Sequence, residues 1–159
     1  MSIALTLALL LATTFPSNSP TGWMQPASFR LQLGMTEKAA LERARTLGLE
    51  EAPSKEKGVK AFAYGDQRTV VMKFERGKLL SIRFELVDFL PGVRKAFEEQ
   101  QKLLSARLGP PSQKVGETVV IYDKTRPNVF VVANIDPASD AGKQGLGMLV
   151  VRYFEPAAD

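Results

Sequence analysis

The order of apolar and polar side chains along the chain changes period several times, and each change marks an element. Phe29-Arg30-Leu31-Gln32-Leu33 alternates, which predicts a short strand or extended entry. Gly34-Met35-Thr36-Glu37 then opens a helix, with Thr36 as N-cap and Glu37 complementing the positive end of the dipole. Ala40, Leu41, Ala44 and Leu47 gather on one face of a 3.6-residue period, and Gly48 closes the helix. A polar stretch over 50–58 leads away. Strand patterns follow at 60–64, 69–75 and 78–87. In the second, Val70, Met72 and Phe74 oppose Thr69, Val71, Lys73 and Glu75. In the third, Leu80, Ile82, Phe84 and Leu86 oppose Ser81, Arg83 and Glu85. One oily side per strand predicts an antiparallel sheet covered on one face only.

The same order then returns. Pro91-Gly92 starts a helix over 93–108, with Val93, Phe97, Gln101, Leu104 and Leu108 on one face, and Gly109-Pro110-Pro111 stops it. Strand patterns lie at 117–122, 128–135 and 147–154, the last two joined by a long loop over 136–145. An offset of 61 superposes Thr46-Leu47-Gly48 on Arg107-Leu108-Gly109 and Thr69-Val70-Val71-Met72 on Phe130-Val131-Val132-Ala133. The expected fold is therefore α+β, an antiparallel sheet with two helices packed on one face, built as a tandem helix–strand–strand–strand repeat. Repeat one covers 34–87 and repeat two 91–154, within a single domain over 28–156.

Composition sharpens this by what it lacks. Among 159 residues there is no cysteine and no histidine. Disulfides, thiolate metal sites, cysteine nucleophiles, serine–histidine–aspartate triads and histidine-held metals or haem are excluded. The net charge is +4, but basic and acidic residues alternate, as in Lys55-Glu56-Lys57-Gly58-Val59-Lys60, so no nucleic-acid partner is expected. No charged side chain precedes Arg30, and the apolar run over 1–12 is followed by small and turn-forming residues up to Pro20. That is the pattern of a secretory signal, too short for a membrane span. Residues 1–22 are read as signal and linker, with the mature chain beginning between Phe15 and Gln25 and working outside the cytoplasm, in the periplasm or secreted.

Leu33-Gly34-Met35-Thr36-Glu37, the helix closing on Leu47-Gly48, and Val70-x-x-x-Phe74-x-x-Gly77-Lys78-Leu79 resemble the outer-membrane assembly lipoprotein family BamE. They are similar also to the wider group of β-lactamase-inhibitor-protein-like domains, whose helix-closing motif Leu108-Gly109-Pro110-Pro111 resembles. The resemblance implies two tandem modules in an envelope protein that binds other proteins and catalyses nothing. It differs in one respect: without a cysteine the chain has no lipid anchor, which leaves membrane contact open. No binding residue is carried over from either group.

Candidate chemistry is sparse. Gly142-Lys143-Gln144 lacks the flanking residues of a phosphate-binding loop and reads as a mobile loop. Asp136 and Asp140 lack the spacing of a calcium loop. Glu50-Glu51 and Glu98-Glu99 are adjacent rather than convergent, and Ser81 and Ser105 fall on element surfaces. No catalytic residue, cofactor or metal is expected.

The informative asymmetry is between the two outward sheet faces. The first half presents Thr69, Val71, Lys73, Glu75, Ser81, Arg83 and Glu85. In the second half the 61-residue offset turns Val129, Val131, Ala133 and Ile135 toward the helices and Phe130, Val132 and Asn134 away. If Arg152 faces outward, Met148, Val150 and Phe154 go with it. Phe130, Val132, Met148, Val150, Arg152 and Phe154 then form a candidate partner-binding patch for another envelope or secreted protein. Two alternatives stand beside it. Trp23-Met24-Gln25-Pro26 folds back over the patch, or a register off by one exchanges the faces. A soluble inhibitor or ligand-binding protein is the second functional reading.

Overall fold

A computed structural model describes residues 21–124 and 126–156. The expected signal therefore lies outside the described residues, apart from Thr21 and Gly22. The chain is α+β: eight antiparallel strands form one sheet in the order β1-β2-β3-β4-β8-β7-β6-β5. The strands are β1 (Glu50–Ala52), β2 (Val59–Ala63), β3 (Arg68–Glu75), β4 (Lys78–Phe89), β5 (Gln113–Val115), β6 (Val119–Tyr122), β7 (Asn128–Asn134) and β8 (Leu146–Phe154). Helix α1 (Glu37–Thr46) precedes the first four strands and α2 (Leu90–Leu108) the second four. A one-turn helix, α3 (Asp140–Lys143), interrupts the β7–β8 connection. Each half is thus a helix followed by a four-strand meander, one strand longer than the sequence pattern predicts. The halves join along β4 and β8.

The extra strands, β1 and β5, are three residues long and lie at the two edges. Their sequences, Glu-Glu-Ala and Gln-Lys-Val, carry no alternation to read. Short charged edge strands also resist pairing with another chain.

Residues paired across strands share a face, so the register defines the core. One inward row runs Phe62, Val70, Phe84, Val151, Val131, Val120 across six strands. The next runs Met72, Ile82, Tyr153, Val129, Tyr122. All are buried. Ala40 and Ala44 of α1 and Val93, Ala96, Phe97 and Leu104 of α2 close over these rows in a single core. Thr36 caps α1 as its type predicts, its hydroxyl accepting from the Ala39 N–H at 3.2 Å. On α2 it is Gln100, not Gln101, that turns inward.

The segment before α1 departs from expectation. Instead of a strand at 29–33 there is a 3-10 turn at Pro26–Phe29, and Arg30 takes a left-handed conformation (φ 53°). That turn lets both Phe29 and Leu31 enter the core, which produces the alternating pattern without a strand. Sheet-like pairing comes later: Gly34 N–H donates to the Leu79 carbonyl and Leu79 N–H to that of Met35. The domain also begins earlier than residue 28. Trp23 and Met24 are 3% and 1% exposed, and the Gln100 amide donates to the Thr21 carbonyl at 2.8 Å, tying this arm to α2. Trp23 and Phe29 flank Phe84 at ring-centroid distances of 5.9 and 5.8 Å, and Tyr153 meets it at 5.9 Å. The arm therefore covers the helix side of the sheet, not its outer side.

Gly142-Lys143-Gln144 is not a free loop. It belongs to α3 and its C-cap, where the Ser139 hydroxyl accepts from the Gly142 N–H at 2.9 Å. Gly142 is buried, and a Cβ there would strike the Asp136 carbonyl.

Candidate functional site

With the inner rows buried against helices and arm, the alternate residues form the outer face. In β7 and β8 burial alternates strictly: Val129, Val131, Ala133, Leu149, Val151 and Tyr153 are buried. Phe130, Val132, Met148, Val150, Arg152 and Phe154 stay partly exposed. The structure thus places all six candidate residues on one side of the sheet, away from both long helices. Neither alternative applies: Trp23–Pro26 lies on the other side, and the faces are not exchanged.

Pairing sets four of the six opposite one another on the adjacent strands β7 and β8, Phe130 against Arg152 and Val132 against Val150, and extends the patch. One outer row runs Ala61, Val71, Arg83, Arg152, Phe130, Ile121, and the next Thr69, Glu85, Val150, Val132, Val119. Phe154 pairs with Ser81 and Asn128, and Met148 with Val87 and Asn134. Phe130 and Phe154 meet edge to face at 4.8 Å, and the Arg152 guanidinium lies 4.9 Å above the Phe154 ring. These contacts fix three large side chains as one plate. Val119 and Ile121 lengthen it toward the exposed Val115. The sequence does not mark them, because Val119-Val120-Ile121-Tyr122 is apolar throughout, and only the pairing Ile121–Phe130 says which side each faces.

Across the β4–β8 seam the chemistry changes. Arg83 stands opposite Arg152 and donates through Nε to Glu85 Oε1 at 2.7 Å. A depression of about 680 Å³ opens between Arg83 and Glu85 on one side and Val132, Met148 and Val150 on the other. One wall carries an ion pair, and the other is mainly apolar with Thr118 and Asn134 beside Val132, Met148 and Val150.

The remaining polar candidates serve the fold. Asp136 Oδ1 accepts from the Ala138 N–H at 2.9 Å, and Ser139 caps α3, so the loop's polar groups are spent on its own turn. Glu51 pairs with Lys60 at 3.6 Å. Ser105 Oγ is 2.9 Å from the Tyr122 hydroxyl, and Ser81 is buried in the outer row. No group of three acidic, histidine or cysteine side chains that could hold a metal ion occurs among the described residues. No helix among them is long and apolar enough to cross a membrane.

Compared with protein-family models, with curated proteins and with solved structures, the chain matches none.

Proposed function

We propose that this is an exported, non-catalytic binding module that holds another envelope or secreted protein against the outer face of β6, β7 and β8. The observation that carries this reading is the plate of Phe130, Phe154 and Arg152, continued by Val132, Val150, Val119 and Ile121 on the sheet face opposite α1 and α2. Contiguous exposed apolar surface marks interaction sites, and aromatic and arginine side chains are enriched at interface centres. Docking uses the face and not an edge, because both edge strands are short and charged.

The charges favour a partner of one kind. Arg83 has its carboxylate in Glu85, whereas Arg152 faces that arginine across the seam with an aromatic ring as its neighbour. A partner that fits presents an apolar surface with an aspartate or glutamate set against Arg152. The resemblance to BamE and β-lactamase-inhibitor-protein-like modules agrees with this reading, as does the helix-plus-meander order of each half, which we attribute to a doubled unit. Export would place signal cleavage before Trp23, since that side chain belongs to the core.

A photo-crosslinking residue at Val132 in cells identifies the partner. Phe130→Asp and Arg152→Glu should each abolish the crosslink while leaving thermal unfolding near that of the parent chain. Reversing the partner's matching carboxylate to lysine should restore binding to Arg152→Glu. An undiminished crosslink with both variants folded overturns the proposal.

A further inference from the structure

A second concavity lies on the helix side, where the arm meets the C-terminal end of α2 and the outer ends of β7 and β8. It encloses about 410 Å³, within the range of small-molecule sites. Its walls are Leu31, Leu33, Leu108 and Val129, with Pro26 and Pro127 at the mouth. Three charged residues, Arg107, Arg126 and Glu155, also line it.

Arg107 is held in place. It donates to Gln25 Oε1 at 2.7 Å and to the Tyr153 hydroxyl at 3.3 Å. A guanidinium has five N–H donors, so these two bonds leave three for a ligand. Arg126 makes no ion pair or hydrogen bond among the described residues. Two positive groups against one negative leave a single excess positive charge. That balance suits a monoanion better than a doubly charged phosphate, and the flat fork of arginine matches a carboxylate.

We propose that this cleft binds a small monocarboxylate with an apolar body. The carboxylate lies against Arg107 and Arg126, and the apolar part runs over Leu31, Leu33, Leu108 and Val129. The cleft is on the opposite side of the sheet from the Phe130 plate, so this site and the protein-binding face stand or fall separately.

The test is titration of the full chain with octanoate, 1-octanol and inorganic phosphate, read by calorimetry and methyl NMR. Octanoate should bind saturably and shift the methyls of Leu31, Leu33, Leu108 and Val129, leaving those of Val132 and Val150 in place. Arg126→Gln should weaken octanoate about tenfold without lowering the unfolding temperature. Glu155→Gln should tighten it. Phosphate should not displace octanoate. The proposal fails if octanol binds as well as octanoate, if Arg126→Gln changes nothing, if phosphate competes, or if the shifts fall on the outer face instead.

Discussion

Arg83 and Arg152 stand directly opposite each other on β4 and β8, the two strands that join the halves of the sheet. Like charges in that position repel, at a cost of roughly 0.2–1 kcal/mol per cross-strand pair. The two guanidiniums are relieved differently. Arg83 donates to Glu85 two residues along its own strand, whose side chain is only 19% exposed, while Arg152 lies over Phe154. One arginine is thereby committed within the fold and the other left facing outward beside aromatic rings.

Glu85 should then matter more while Arg152 is present than when it is absent. Glu85→Gln removes the counter-charge and leaves two guanidiniums side by side, and we expect a loss of about 0.5–1 kcal/mol in urea unfolding. In an Arg152→Gln background the same change should cost close to nothing. High salt should shrink the difference, since about half of the Arg83 side chain is open to solvent (47%). Equal costs in the two backgrounds would show that the seam arginines do not feel each other.

Tyr153 makes stability sensitive to alkali. Burial raises its phenol above the ordinary value of 10.0, outweighing the opposing pull of the Arg107 charge and hydrogen bond. The hydroxyl also donates to the Met24 carbonyl at 3.3 Å, so it ties β8 to the arm. With the folded-state value raised, the unfolded chain releases its proton first as pH climbs. The unfolded state then binds fewer protons than the native state, and stability falls. This contribution is complete below about pH 10 and is lost as pH rises through the folded value. Tyr153→Phe should cost about 1 kcal/mol at neutral pH through the lost hydrogen bonds. It should also flatten the part of the alkaline decline that belongs to this residue. Urea melts of both proteins from pH 8 to pH 11, with phenolate absorbance followed in parallel, measure the difference. Parallel declines in parent and variant would assign the alkaline loss elsewhere.

The elements that sequence makes legible are those whose own pattern is complete. α1 shows its cap, its small apolar face and its terminal glycine. β3, β7 and β8 alternate, as does β4 from Ser81 to Phe84, whereas a bulge opposite Lys73 and Phe74 sends Leu79 into the core in place of the expected Leu80. The alternation in β7 and β8 is enough to place Phe130, Val132, Met148, Val150, Arg152 and Phe154 on one side. What stays hidden depends on pairing. β1 and β5 are strands only because β2 and β6 lie beside them. Val119 and Ile121 join the outer face through their register with β7. Phe29 and Leu31 imitate a strand because a left-handed Arg30 brings two alternate residues to the same core. The cleft beside Arg107 is the extreme case, since the arm, α2, β7 and β8 meet there from distant parts of the chain.

Gly48 and Gly58 separate backbone strain from close approach. Both have positive φ, 73° and 75°, so a side chain at either costs about 1–2 kcal/mol in the left-handed region. At Gly48, the end of α1, an added Cβ meets open space. At Gly58 it would lie 2.8 Å from the Phe74 carbonyl oxygen. The neighbour there is backbone and cannot swing aside. It is also held in place, because the Phe74 N–H donates to the Gly58 carbonyl at 2.7 Å and the Phe74 side chain is buried in the core. Relieving the contact would move the β2–β3 pairing or the core beneath it. Gly58→Ala should therefore destabilise by at least about 1 kcal/mol more than Gly48→Ala, with the same dependence on denaturant in both. Equal losses at the two positions in urea unfolding would mean that strain alone decides, and that Phe74 does not require the bare backbone of Gly58.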